Sequence, residues 1–239
     1  MKNPLEKEIC QIELPALLDT KELEKRMTGG KTTPRHQEML IELAETARKI
    51  ARPVGIYRVS HVRVIDENKT GIDGVIFTSK VLSKLLAGRD TVIPFIVTEG
   101  KALDEYPVAR GDMMKQFYLD TIKTLIVANG VKYLKEYVQK QCGMPKAALM
   151  NPGEIEDWFI TEQKQLFSLF DDVEGRIGVT LTGGGVMKPV KSRSGIIFPN
   201  ESGFETCQLC LQARCPGRRV KFDPELYKYY LGKPAKITK

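Results

Sequence analysis

The chain has 239 residues, of which 42% are hydrophobic and 28% charged, and it carries a formal net charge of +7. That length buries a sizeable core without disulfide staples, so the five cysteines are not needed for stability. No charged leader runs into an apolar segment and no apolar run approaches the roughly 18 residues of a membrane span; a soluble, cytoplasmic protein is expected, whose reduced thiols suit metal or redox roles.

Residues 1–33 read as a peripheral N-terminal segment, in which Asp19 caps a short charged helix, DTKELEKRM, and TGGKTTP breaks it. The GGKTT is not a phosphate-binding loop, because Lys25 stands where that motif needs a glycine. From Pro34, RHQEMLIELAETARKIA sets Met39, Leu40, Leu43, Ala47 and Ile50 at helical spacing. GIYRVSHVRVID and GVIFTS read as strands, SKVLSKLLAG as a short helix with a glycine stop, and TVIPFIVTEG as a buried strand.

The longest periodic segment, DMMKQFYLDTIKTLIVANGVKYLKEYVQKQ, places Met114, Phe117, Tyr118, Ile122, Leu125, Ile126, Val131, Leu134 and Val138 on one broad apolar stripe. The chain then turns at Asn151-Pro152-Gly153, and ITEQKQLFSLF follows as a helix with Thr161 as its cap and Glu162 in its first turn. IGVTLT and SGIIFP read as strands. Helices and strands alternate irregularly, with strand following strand both early and late. That pattern favours an α+β fold over residues 34–200, with helices packed on a largely antiparallel sheet.

Residues 201–239 form a basic, cysteine-rich segment packed on that domain. Residues 186–239 hold eleven Lys and Arg against four Asp and Glu, which accounts for the whole charge excess. No nucleic-acid motif accompanies the basic residues, so an anionic cofactor or an acidic protein is the expected partner. In FETCQLCLQARCPGRR, Cys207 and Cys210 are spaced Cys-x-x-Cys and Cys215 follows within nine residues of the first. Three thiolates leave a fourth position for Cys142, in a QCGMP turn, or for Cys10, and Cys142 is preferred because Gly143 lets backbone approach a bulky centre. Four thiolates suit zinc or a [4Fe–4S] cluster; a single Cys-x-x-Cys with proline after the third cysteine favours the cluster. Arg214, Arg218 and Arg219 stand close by in sequence, where they would ease reduction, hold an acidic partner, or pair with Glu201, Glu205 or Asp223.

The run NPGEIEDWFITEQKQLFSLFDDVEGRIGVTLTGGGVMKPVKSRSGIIF resembles the activation (reactivation) domain of cobalamin-dependent methionine synthase and its stand-alone relatives. The resemblance rests on the Pro152-Gly153 turn, the helix Gln163 to Phe170, the strand Ile177 to Thr182, the Met187 to Pro189 step, the strand Ser192 to Phe198, and the Thr98 to Gly100 segment before the long helix. It implies a C-shaped α+β domain that binds S-adenosylmethionine and presents it to a corrinoid. It also implies a cofactor cleft near Gly153, Glu154 and Trp158. The chain departs from the family's R-x-x-x-G-Y motif, with Leu149 in place of the arginine and Glu154 in place of the tyrosine, and it adds the cysteine segment. Neither His36 nor His61 fits the D-x-H-x-x-G motif of a corrinoid carrier. The reading that unites these departures is an iron–sulfur accessory, with or without an electron-donor protein, that docks on a corrinoid protein and supports its reductive activation. The alternatives are a zinc-stabilised, non-redox binding module and an S-adenosylmethionine-binding methyl-transfer protein.

Overall fold

The apolar run Thr91–Thr98 is buried along nearly its whole length and organises everything around it. In the computed structural model, which describes residues 8–28, 33–215 and 217–235, the chain opens with β1 (Cys10–Glu13), α1 (Thr20–Thr28), α2 (Pro34–Ile50), β2 (Val54–Tyr57) and β3 (Ser60–Val64). It continues through β4 (Lys69–Ile72), β5 (Val75–Thr78), α3 (Lys80–Leu86), β6 (Thr91–Thr98), α4 (Lys101–Asp104), α5 (Met113–Gln141) and β7 (Ala147–Met150). The last elements are α6 (Gln163–Phe167), α7 (Val173–Ile177), β8 (Thr180–Leu181), β9 (Met187–Lys188), β10 (Ser192–Pro199) and α8 (Pro224–Leu231). Residues 29–32, the centre of the TGGKTTP break, lie outside the described residues.

Among the described residues, eight strands form one sheet in which every pairing is antiparallel, as the irregular alternation of elements implied. β6 is its hub. One edge pairs with β10; the other pairs with β2 over Phe95–Thr98 and then with β3 at Thr91 and Val92. Pro94, which has no N–H to give to a ladder, sits where the partner changes. β1 adds to the free edge of β2, so part of the stretch read as peripheral belongs to the sheet.

Alternation along the strands divides the core into two faces. Ile93, Phe95 and Val97 of β6, Tyr57 of β2 and Ile197 of β10 meet Val127, Val131, Leu134 and Val138 of α5. Val92 and Ile96, with Ile56, Ile196 and Phe198, point the other way and pack under α3, α6, α7 and α8 together with Trp158. Thr33 caps α2, its hydroxyl accepting from the His36 N–H at 3.4 Å, and Asp19 accepts from the Lys21 N–H at 2.8 Å at the start of α1.

Two residues of the expected α5 stripe are corrected: Phe117 is 53% exposed and Met114 42%. At 1.5 Å per residue α5 runs about 43 Å, against about 27 Å for an eight-residue strand, so its first turns overhang the sheet. Leu119 and Val127 are buried in addition. The IGVTLT run is strand only at Thr180–Leu181, which pairs with β9 as a separate hairpin, because Val173–Ile177 closes α7 and Gly178 ends it in the left-handed region.

Candidate functional site

β7 pairs with β10 only over Ile196–Pro199, so the other half of β10 has no strand partner on that side. A cleft of about 280 Å³ opens there, floored by Ser192, Arg193 and Ser194 and walled by Asn151, Gly153, Glu154, Gln163 and Met187. What turns the chain away from β10 is the Asn151-Pro152-Gly153 step. Gly153 has φ +86°, and its N–H donates to the Trp158 carbonyl at 2.7 Å. Gly195 permits the close crossing: a Cβ there would lie 2.2 Å from Asn151 Oδ1 and 2.4 Å from the Met150 carbonyl.

The cleft is polar at its base and apolar at its mouth. Ser194 Oγ donates to Gln163 Oε1 at 2.5 Å, and the Arg193 guanidinium pairs with Glu154 Oε1. Three buried atoms have no partner in the protein: both polar atoms of the Asn151 amide, whose residue is only 4% exposed, and Glu154 Oε2. A buried amide without hydrogen bonds costs stability, so a group that supplies them is favoured there. Around the opening stand exposed apolar side chains, Ile160, Val186 and Val190.

Of the expected cofactor-site residues, Gly153 and Glu154 line the cleft and Trp158 does not. Trp158 is fully buried, edge-on to Phe77 with ring centroids 6.2 Å apart, and reaches the cleft only through its carbonyl. Leu149, at the family's arginine position, packs toward the α5 face of the sheet. Arg193, Asn151, Gln163 and Ser194 were not anticipated, although the glycine within SGIIF marks the strand crossing that assembles them.

The flanking carboxylates are structural. Asp157 Oδ2 accepts from Ser79 Oγ at 2.5 Å and from the Val81 N–H at 2.9 Å, so it ties the turn to the start of α3. Glu156 accepts from Tyr227 at 2.6 Å and pairs with Lys233, contacts that lower its carboxyl below the usual range. Thr161 makes no side-chain cap; Ile160–Glu162 is a single 3₁₀ turn, and Glu162 Oε2 instead accepts from the Thr78 N–H at 2.9 Å.

The three clustered cysteines lie on the opposite face of the sheet from α5, where Phe204, Leu209 and Tyr227 anchor the C-terminal segment in the core. Thr206 Oγ1 donates to the Leu149 carbonyl at 3.1 Å, tying the segment to β7, the sheet's edge strand. The loop is shaped around one arginine: the Arg218 guanidinium donates to the carbonyls of Cys207 at 2.8 Å, Cys210 at 3.0 Å and Gln212 at 2.7 Å. Arg219 pairs with Glu205 at 2.9 Å. Burial works against its charge, but Glu205, Cys207 and Glu154 outweigh that and hold it protonated.

Cys142 is elsewhere, packed with Cys10, Tyr57 and Tyr137 on the α5 face. Burial, and then Cys10, push its thiol up. As the chain stands, no group of three or more His, Cys, Asp or Glu side chains among the described residues converges closely enough to hold a metal ion. No helix among them is long and apolar enough to cross a membrane.

No protein-family profile matches the chain, and no curated protein does. Among solved structures, the crystal structure of the MetH reactivation domain bound to AdoHcy superimposes with a TM-score of 0.60, covering 96% of this chain and 90% of that one at 16% identity. The two share a fold.

Proposed function

We propose that this chain is an accessory module for a corrinoid protein: it docks on that protein and supports its reductive activation, with the C-terminal thiol loop as the seat of a metal centre. The observation that carries this reading is the tie between the cysteine segment and the strand that leads into the cleft: Thr206, next to Cys207, donates to the Leu149 carbonyl at 3.1 Å, two residues before Asn151. The fold shared with a reactivation domain supports the choice of partner.

Cys207, Cys210 and Cys215 are the donors, and thiolates suit an iron–sulfur cluster or zinc. A [4Fe–4S] cluster would supply one-electron chemistry when bound. The chain's own contribution is to hold the three cysteines on a loop whose backbone is shaped by Arg218 and flanked by the Arg219–Glu205 ion pair. Purification without oxygen, followed by iron, sulfide and zinc analysis and spectra before and after dithionite, tests it. About four iron and four sulfide per chain with reversible bleaching is the expected result. Stoichiometric zinc with no response to dithionite would leave a non-redox binding module.

The unpartnered Asn151 amide favours a second role for the cleft, binding a ligand of the S-adenosylmethionine class, with Glu154, Arg193 and Gln163 as its polar contacts. The neighbour's AdoHcy supports that chemistry. Calorimetry with S-adenosylhomocysteine measures it; the expected heat is lost in Asn151→Leu, and no heat in the unmodified chain removes this reading.

A further inference from the structure

We infer that a groove at the opposite end of β10 from the cleft binds a phosphate group, free or as the ester of a small molecule. The groove, of about 620 Å³, lies where the end of α3, the turn before β7, the turn after β10 and α8 meet. Hydrogen bonds bring its donors together. Arg89 Nε donates to the Pro199 carbonyl at 2.7 Å, and the Asn200 N–H donates to the Lys146 carbonyl at 3.0 Å, so a guanidinium, an amide and an ammonium stand around one turn. Lys84 closes the other wall, its Nζ donating to the Tyr229 carbonyl at 2.6 Å beside Tyr230.

Two observations point to an anion. The first is charge that the protein leaves unneutralised. Among the described residues, none of Lys84, Arg89 and Lys146 has a carboxylate within ion-pair distance, whereas Arg58, Arg176, Arg193 and Arg219 each have one. Glu201 is the single acidic residue lining the groove, and it is exposed. Arg89 is also held in place by the Pro199 carbonyl and by the Phe198 ring, 5.8 Å from its guanidinium carbon, so little side-chain freedom is lost when a ligand meets it. The second observation is Asn200, which is only 6% exposed. Its Oδ1 accepts from the Ser202 hydroxyl at 2.8 Å and from the Phe204 N–H at 3.2 Å, which fixes the orientation of the amide and leaves its NH₂ as the group facing the groove. That NH₂ has no acceptor among the described residues, although buried amide hydrogens are nearly always paired. A ligand that only accepts, and does so from several directions with two negative charges, meets guanidinium, ammonium and amide donors together; phosphate is such a ligand. Leu85, Pro145 and Tyr230 supply an apolar wall for the organic part of an ester. Because Asn200 also holds Phe204, at the head of FETCQLC, a ligand on Asn200 steadies the turn from which the cysteine segment leaves.

The test is calorimetry of the full, reduced chain with inorganic phosphate and with phenyl phosphate at fixed ionic strength. Both are expected to give heat, and amide hydrogen exchange over 198–206 is expected to slow about two- to fivefold when either is bound. Phenyl phosphate bound about fivefold tighter or more assigns the groove to a phosphate ester, and equal affinity assigns it to free phosphate. Asn200→Asp keeps the acceptor for Phe204 and puts an acidic oxygen in place of the NH₂; it and Arg89→Gln are each expected to weaken both ligands more than about tenfold. Lys146→Ala, at an exposed position, is expected to weaken binding about three- to tenfold with the melting temperature unchanged, so the loss is readable even where the other two variants fail to fold. Lys228→Ala, an exposed lysine of α8 outside the groove, is expected to change Kd by less than about twofold. No heat from either ligand in the unmodified chain, no slowing of exchange over 198–206, or an equal loss in Lys228→Ala and Lys146→Ala overturns the site.

Discussion

The molecule carries sulfur in two places, and their surroundings could hardly differ more. Cys10 and Cys142 sit between the edge of the sheet and the end of α5, among Tyr57, Tyr137 and Met144, where both pack as small hydrophobes and burial pushes the Cys142 thiol up. Cys207, Cys210 and Cys215 sit on a loop braced by one guanidinium and bordered by another, and each is partly exposed. Spacing alone would group all these thiols as candidates; the sheet puts the two sets on opposite faces.

The contrast breaks most severely if the anchor of the loop is removed. Leu209→Ala, at a position only 1% exposed, is expected to destabilise the chain by about 2–5 kcal/mol and to open residues 207–220 to proteolysis. Leu134→Ala on the α5 face should cost a similar amount in urea denaturation yet leave the loop resistant. If both variants expose the loop equally, the two faces are not independent.

A titration of stability sharpens the contrast next. Glu99, fully buried after β6, has its carboxyl pushed up to about 8 by burial, with Asp104 adding to it and Lys123 opposing it. Its folded value lies above its unfolded one, so its favourable contribution is present below about pH 4.5 and is lost as pH rises through about 8. Melting temperature should therefore fall between pH 5 and pH 9 by the equivalent of a few kcal/mol, and Glu99→Gln should flatten that slope. An unchanged slope in Glu99→Gln would place the titration elsewhere.

Smaller effects follow from single contacts. Arg218→Met removes four carbonyl contacts, the one to Val220 being the longest, and should cost about 2–3 kcal/mol, read as faster amide hydrogen exchange confined to 207–220. Cys142→Ser is expected to lower stability by about 1 kcal/mol or less, because the site is only half-buried and the volume changes little. A larger loss would mean that the Cys10 and Cys142 pair carries structure that the apolar contacts do not.

Much of the fold was legible because period and burial agree. The helix from Pro34, the cap at Asp19 and the run TVIPFIVT all follow from local chemistry, and they lie where periodicity put them. Short or polar strands escaped that logic. KTGI and CQIE are strands only because β3 and β2 offer them edges, and α8 was hidden in a tyrosine-rich stretch whose cap, Asp223, looked like one more charge. The cleft was half legible. Its NPG turn announced Gly153 and Glu154, whereas Arg193, Gln163 and Ser194 reach it from β10 and α6, distant in sequence, and no local signal links them.

From composition and pattern alone follow an α+β chain, an antiparallel sheet and a basic tail with three clustered thiols, because each depends on residue types at short spacing. Which thiols share a face, which arginine shapes their loop, and which carboxylate meets Arg193 depend on contacts between residues tens of positions apart. Those were decided when β6 took β10 on one edge and β2 with β3 on the other, since that pairing set the two faces on which everything else packs.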